Sequence, residues 1–200
     1  MTETVSEYAI PNELDINEAV QAFAAAYGYL ETAMSQLLQA FPGHDVPSNV
    51  LLKVVVLNRL YSTNIFAVDA AAKHIVDHAA QITAGIESGD PEVIPLLAHM
   101  QMPDGKTRYN FSFATKYCSW HNRAAFPIYD SRAERYLWNV QCQRNFMQRE
   151  MKRSELWFYA SFKNVVNTFQ NYYHLEQFDY KQIDQYLWTN GVEMPSAKPL

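Results

Sequence analysis

The stretch Asn110–Leu137, NFSFATKYCSWHNRAAFPIYDSRAERYL, decides how this chain is read. Its first half predicts a short helix from about Ser112 to His121, with Lys116 in the early turns. Pro127-Ile128-Tyr129 then leads into Asp130, a natural N-cap for a helix running to about Gln141. The intervening loop is short, so the two helices are predicted to be antiparallel neighbours whose facing ends bring Lys116 and Asp130 to one cleft. Taken singly, a helical lysine is a solvated side chain and an aspartate before a helix is a cap worth about 1 kcal/mol. It is the pairing that invites a chemical reading.

The same cap-and-period pattern repeats along the chain. Asp15 with Glu18 has the form of a capping box. Ile16, Val20, Phe23, Tyr27, Leu30, Met34 and Leu37 recur near helical spacing up to about Phe41, where Pro42-Gly43 stops the helix. Ser48 is the expected cap of a second helix through Leu60. A third is predicted from about Phe66 to Ile86, and a short one from Pro91 to about Met100. Met102 to Tyr109, holding Pro103, Asp104 and Gly105, reads as a polar loop. The basic segment Gln143 to Arg153 fits loop or helix. An aromatic helix is expected over about Ser154 to Tyr173, and Asp179 caps a last one to about Trp188. No strand-like alternation and no repeat is apparent. The expected fold is therefore all-α: about eight helices in one compact, two-lobed domain over 1–195, with lobes at roughly 15–100 and 105–190 and a loose tail at 192–200.

Composition narrows the class. Hydrophobic residues make up 48% of the 200, which supports a buried core and argues against disorder. The longest apolar run, Val50 to Leu60, is broken by Lys53, Asn58 and Arg59 and falls short of the ~18 residues of a membrane span. Cys118 and Cys142 form no CxxC pair and no leader pattern opens the chain, so a reduced, cytoplasmic protein is expected. The net charge of −5 conceals an asymmetry. Between Gly105 and Val165 lie eleven of the sixteen Lys and Arg but only four of the twenty-one Asp and Glu, giving that segment +7 and the remainder −12. This is the footprint expected for an anionic partner, or an imbalance on a solvated face.

An amine beside a carboxylate at a helix N-terminus suits the breaking of an N-glycosidic bond. The carboxylate stabilises the positive charge that builds on the sugar. The amine, made partly neutral by burial, attacks the sugar carbon and forms a Schiff base. Helix N–H groups nearby bind a phosphate.

Ser112-Phe113-Ala114-Thr115-Lys116, followed by Pro127-Ile128-Tyr129-Asp130, resembles the signature of the helix-hairpin-helix DNA glycosylases. That signature is a Gly-hydrophobic-Gly-x-Lys hairpin and a Pro-x-Asp segment opening the next helix. The stretch is most similar to the 8-oxoguanine glycosylase-like bacterial proteins, and the resemblance covers about 28 residues. Ser112 and Ala114 replace both hairpin glycines, the Lys-to-Asp spacing is shorter, and the Pro-to-Asp step is one residue longer. The resemblance implies an enzyme that binds double-stranded DNA, flips out a damaged or modified base and excises it, with Lys116 and Asp130 catalytic and an associated abasic-site lyase step through Lys116. The base would be an oxidised purine, or a modified base in phage DNA. Ser112, Thr115, Ser131 and Arg132 become candidate DNA contacts. Asn58, Tyr61, Tyr117, Trp120 and His121 become candidate lining for the flipped base. A monomer is favoured. The alternative is a non-catalytic helical module, binding DNA or protein, on the same fold.

His74 and His78 stand at i, i+4, a spacing that can share a metal, but no third ligand has a matching spacing. There is no phosphate-cradling glycine loop, no zinc pattern and no Cys-rich iron–sulfur loop. No metal and no cofactor are expected.

Overall fold

The computed structural model describes residues 10–191; the tail expected at 192–200 lies outside the described residues. The chain is mostly helical and divides into two compact units. One is Ala24–Tyr129; the other combines the chain up to Phe23 with the chain from Asp130 onward. The division thus falls at Tyr129/Asp130, not near residue 100, where the sequence suggested a break between lobes. Among the described residues no helix is long and apolar enough to cross a membrane.

Helix α1 (Glu13–Ala40) contributes its first turns to the second unit and the rest to the first. Its start is capped three residues earlier than expected. Asn12 N–H donates to Asp15 Oδ2 at 3.2 Å and Asp15 N–H donates to Asn12 Oδ1 at 3.1 Å, so Asn12 is the cap and Asp15 the reciprocal partner.

Within Ala24–Tyr129, α2 (Pro47–Tyr61) opens on Pro47, whose missing N–H costs nothing in a first turn, and not on a Ser48 cap. The single helix expected over 66–86 is two, α3 (Val68–Asp77) and α4 (Ala79–Ser88), broken at His78 (φ −112°, ψ 16°). The short α5 (Val93–Ala98) follows. The expected polar loop is instead a β-hairpin. Strands β1 (His99–Gln101) and β2 (Thr107–Tyr109) pair antiparallel with Met100 opposite Arg108, and Gly105 turns between them at φ +78°. Helix α6 (Phe111–His121) completes the unit. Its core includes Met34, Val54, Leu57, Ile75, Ile82, Leu97, Phe113 and Phe126.

In the second unit α7 (Ser131–Arg144) is capped by Asp130, as expected. Gln141 then knits the basic segment into a defined loop: its amide donates to Asn145 Oδ1 and the Arg149 carbonyl and accepts from Met147 N–H. The expected aromatic helix splits into a 3-10 turn (Arg153–Trp157) and α8 (Tyr159–Tyr172). Helix α9 (Tyr180–Asn190) begins with an Asp179/Gln182 capping box. Tyr136, Phe146, Phe162, Phe169 and Leu187 fill this core, and the Tyr136 and Tyr186 hydroxyls meet at 2.7 Å.

Two helical glycines separate propensity from packing. A Cβ at Gly28 in α1 meets nothing within 4 Å, whereas one at Gly85 in α4 sits 2.7 Å from the Val93 Cβ. Gly28→Ala is expected to stabilise by about 0.5–1 kcal/mol. Gly85→Ala is expected to destabilise by about 1–3 kcal/mol despite the same gain in propensity; urea unfolding midpoints read both signs.

Candidate functional site

Helix α6 carries the site, because nearly all of it is buried and its polar side chains must find partners inside the protein. Lys116 is 2% exposed. Its amine donates to Ser112 Oγ at 2.6 Å and to the Tyr129 carbonyl at 3.1 Å, and lies 5.7 Å from the centre of the Tyr61 ring. Ser112 Oγ in turn donates to the same carbonyl at 3.3 Å, and Thr115 Oγ1 accepts from Tyr129 N–H at 3.1 Å. The peptide before Asp130 is therefore held on both sides by one turn of α6. Ser112 and Thr115, expected as DNA contacts, are engaged in this hold.

Tyr61 and Trp120 extend the cluster. Trp120 Nε1–H donates to the Tyr61 hydroxyl at 2.9 Å, and the Arg123 guanidinium covers the Trp120 ring at 4.1 Å while facing Glu31 at 3.7 Å. Lys116, Tyr61 and Trp120 are thus brought together within Ala24–Tyr129. Asn58 is placed otherwise: its amide donates to the Ile65 carbonyl at 2.9 Å and accepts from Thr63 Oγ1 and Ile65 N–H. Both ends of that side chain fasten the turn after α2, where Ser62 and Asn64 take positive φ.

Tyr117 and His121 point to a second cluster that sequence reading missed. Lys53, fully buried, donates to the Gly43 carbonyl at 2.6 Å and lies 3.4 Å from His121 Nε2. His44 Nδ1 is 2.8 Å from the Tyr117 hydroxyl, and its ring centre is 4.4 Å from that of His121. The available signal was the single lysine inside the apolar run Val50–Leu57, in step with the buried Val50, Val54 and Leu57.

Asp130 belongs to the second unit. Its Oδ1 accepts from Arg132 N–H at 2.9 Å, the ordinary bond of a helix cap. Ser131 is exposed, and the Arg132 guanidinium lies 4.1 Å over the Trp188 ring. In the basic run, Arg149 pairs with Glu155 at 2.6 Å and Arg153 with Glu134 at 2.8 Å, so those two charges are partly offset. His74 Nε2 faces the Leu96 carbonyl at 2.9 Å and His78 Nδ1 the His74 carbonyl at 2.8 Å. Among the described residues no group of three or more His, Cys, Asp or Glu is arranged to hold a metal.

Asn58 supplies a test of which residues hold the fold. Asn58→Leu strands the Ile65 N–H and carbonyl and is expected to cost about 2–3 kcal/mol in chemical denaturation. Tyr61→Phe leaves the ring under Lys116 and removes one acceptor, and is expected to cost about 1 kcal/mol.

The family model HI_0787_N, described as an N-terminal domain, matches residues 8–125. A Haemophilus influenzae protein, described as uncharacterized, is 36% identical over 199 residues, covering 99% of this chain and 91% of that protein. No solved structure matches. Residues 8–125 take in most of the Ala24–Tyr129 unit and its lysine-bearing helix, and the full-length relative takes in Asp130 as well; the chain belongs to the HI_0787_N family.

Proposed function

We propose that the chain is a DNA glycosylase of helix-hairpin-helix type, excising a damaged or modified base with Lys116 as nucleophile and Asp130 as the stabilising carboxylate. The observation that carries this reading is the placing of the Lys116 amine. It is a buried cation donor aimed at the carbonyl of Tyr129, the residue directly before Asp130 in the chain. In the reaction, the Lys116 ammonium first gives a proton to water; the freed amine attacks C1′ of the extruded nucleotide, the base leaves with its bonding electrons and takes up a proton, and the carboxylate offsets the positive charge on the sugar. The C1′–O4′ bond of that adduct then breaks, O4′ taking the remaining N–H proton, and the Schiff base so formed permits strand cleavage by elimination of the 3′ phosphate. Tyr61 has its aromatic face beside the amine, of the kind a flipped base stacks on. An oxidised purine is the substrate favoured by the resemblance of the 110–137 stretch, with a modified base of phage DNA as the other member of that class.

One observation favours a second reading. Lys116, Ser112 and Thr115 together fasten the Tyr129 peptide, a structural task that a non-catalytic DNA-binding or protein-interaction module would need equally.

The two readings part on borohydride trapping. Duplexes carrying single modified bases are incubated with the protein and reduced. The enzyme reading predicts a covalent adduct that Lys116→Ala abolishes. Asp130→Asn keeps a capping side chain and is expected to retain stability within about 0.5 kcal/mol while losing most excision. Asp130→Ala is expected to lose excision and, in addition, about 1 kcal/mol of stability. Tight, salt-sensitive duplex binding with neither adduct nor excision is the outcome of the second reading.

A further inference from the structure

The start of α2, the end of α6 and the connection at 41–46 enclose a polar cluster that the proposed chemistry does not use: His44, Lys53, Tyr117 and His121. All four belong to the Ala24–Tyr129 unit. An ammonium has donors and no lone pair. Lys53 Nζ at 3.4 Å from His121 Nε2 therefore requires that nitrogen to be the bare, accepting one, with the ring proton on Nδ1. A second proton on His121 would go to Nε2 and place donor against donor and cation against cation. A second proton on His44 would charge a ring whose centre is 4.4 Å from that of His121. The groups acting on the pair are Lys53 on α2, Asp45 beside His44, and Tyr117 on α6, with Cys118 next to Tyr117 in the chain. Tyr117 and Cys118 are buried and neutral, burial pushing both upward. Asp45 is exposed and offers its carboxylate as the counterweight.

We propose that this cluster is an acid-released lock: with both imidazoles neutral it ties the α1–α2 connection to helix α6, and proton uptake by His121 or His44 drives the connection away. The ties are the Lys53 bond to the Gly43 carbonyl, the His44–Tyr117 hydrogen bond and the His44–His121 ring contact. Burial, followed by the neighbouring His44 and Lys53, holds His121 down to about 2. Burial and then Lys53, opposed by Asp45, hold His44 down to about 4. Burial holds Lys53 itself down to about 8, Asp45 opposing.

Both imidazoles are depressed in the folded state. Their stabilisation is complete above the ordinary value near 6.5 and is lost as pH falls, because the open state takes up protons that the closed state refuses. Each imidazole raises the opening equilibrium by up to about tenfold per pH unit below 6.5, and the pair by up to about a hundredfold, until His44 begins to titrate in place.

The test follows histidine ring resonances and the unfolding equilibrium of the full chain from pH 7.5 to 4.5. Two of the six histidines, His44 and His121, are expected to titrate well below the ordinary value while the protein stays folded, His44 only toward the acid end of the range. The unfolding constant is expected to rise by up to about a hundredfold per unit beyond what a His44→Gln/His121→Gln double variant shows. Lys53→Met removes the facing cation and is expected to move His121 back toward its ordinary value. The lock is overturned if all six histidines of the folded wild type titrate near 6.5, a result independent of any variant's folding. It is equally overturned if the double variant loses stability with the wild-type slope.

Discussion

A helix that is buried almost throughout its length and still carries polar side chains dictates much of what surrounds it. From Phe113 to Trp120 every residue of α6 is buried, Thr115, Lys116, Tyr117 and Trp120 among them. Leaving one such group unmet costs roughly 1–3 kcal/mol, so each fastens a piece of chain. Thr115 and Lys116 take the peptide of Tyr129, Tyr117 takes His44, and Trp120 takes Tyr61. The connections after α1 and after α6, and the end of α2, are all set by this one element. Lys53 and Lys116, the buried lysines of the Ala24–Tyr129 unit, follow the same logic: each ammonium is surrounded by oxygens, an imidazole nitrogen or an aromatic face, and neither is left in a purely apolar setting.

How much of this was legible depended on whether the deciding interaction was local. Asp130 and Asp179 cap the helices they were expected to cap, because a side chain and an N–H two or three residues on settle the matter. The α1 start moved because Asn12 and Asp15 make a better reciprocal pair than Asp15 and Glu18. The break at His78 and the hairpin at 99–109 were missed for different reasons. No glycine or proline marks His78, where the ring instead bonds back to the His74 carbonyl. Asp104-Gly105 is a hairpin signal that the short, mostly exposed strands beside it did not reinforce.

The site was legible in part. Lys116, Ser112, Thr115, Tyr61 and Trp120 were singled out on motif and on aromatic character, and lie in one neighbourhood of the Ala24–Tyr129 unit. Asn58 was singled out too, but its amide belongs to a turn. Lys53 and His44 carry no motif, because their partners lie 68 and 73 residues away in sequence. The basic segment is weaker in the fold than in the sequence, since Glu134 and Glu155 meet two of its arginines.

The claim on which the functional account stands is that the held amine of Lys116 is the reactive one. Peptide mapping of the borohydride-reduced protein–DNA adduct measures this directly, because the buried amines of Lys53 and Lys181 serve as internal controls. The account predicts the deoxyribose remnant on Lys116 alone. A remnant on Lys53, Lys181 or an exposed lysine, with Lys116 unmodified, would contradict it.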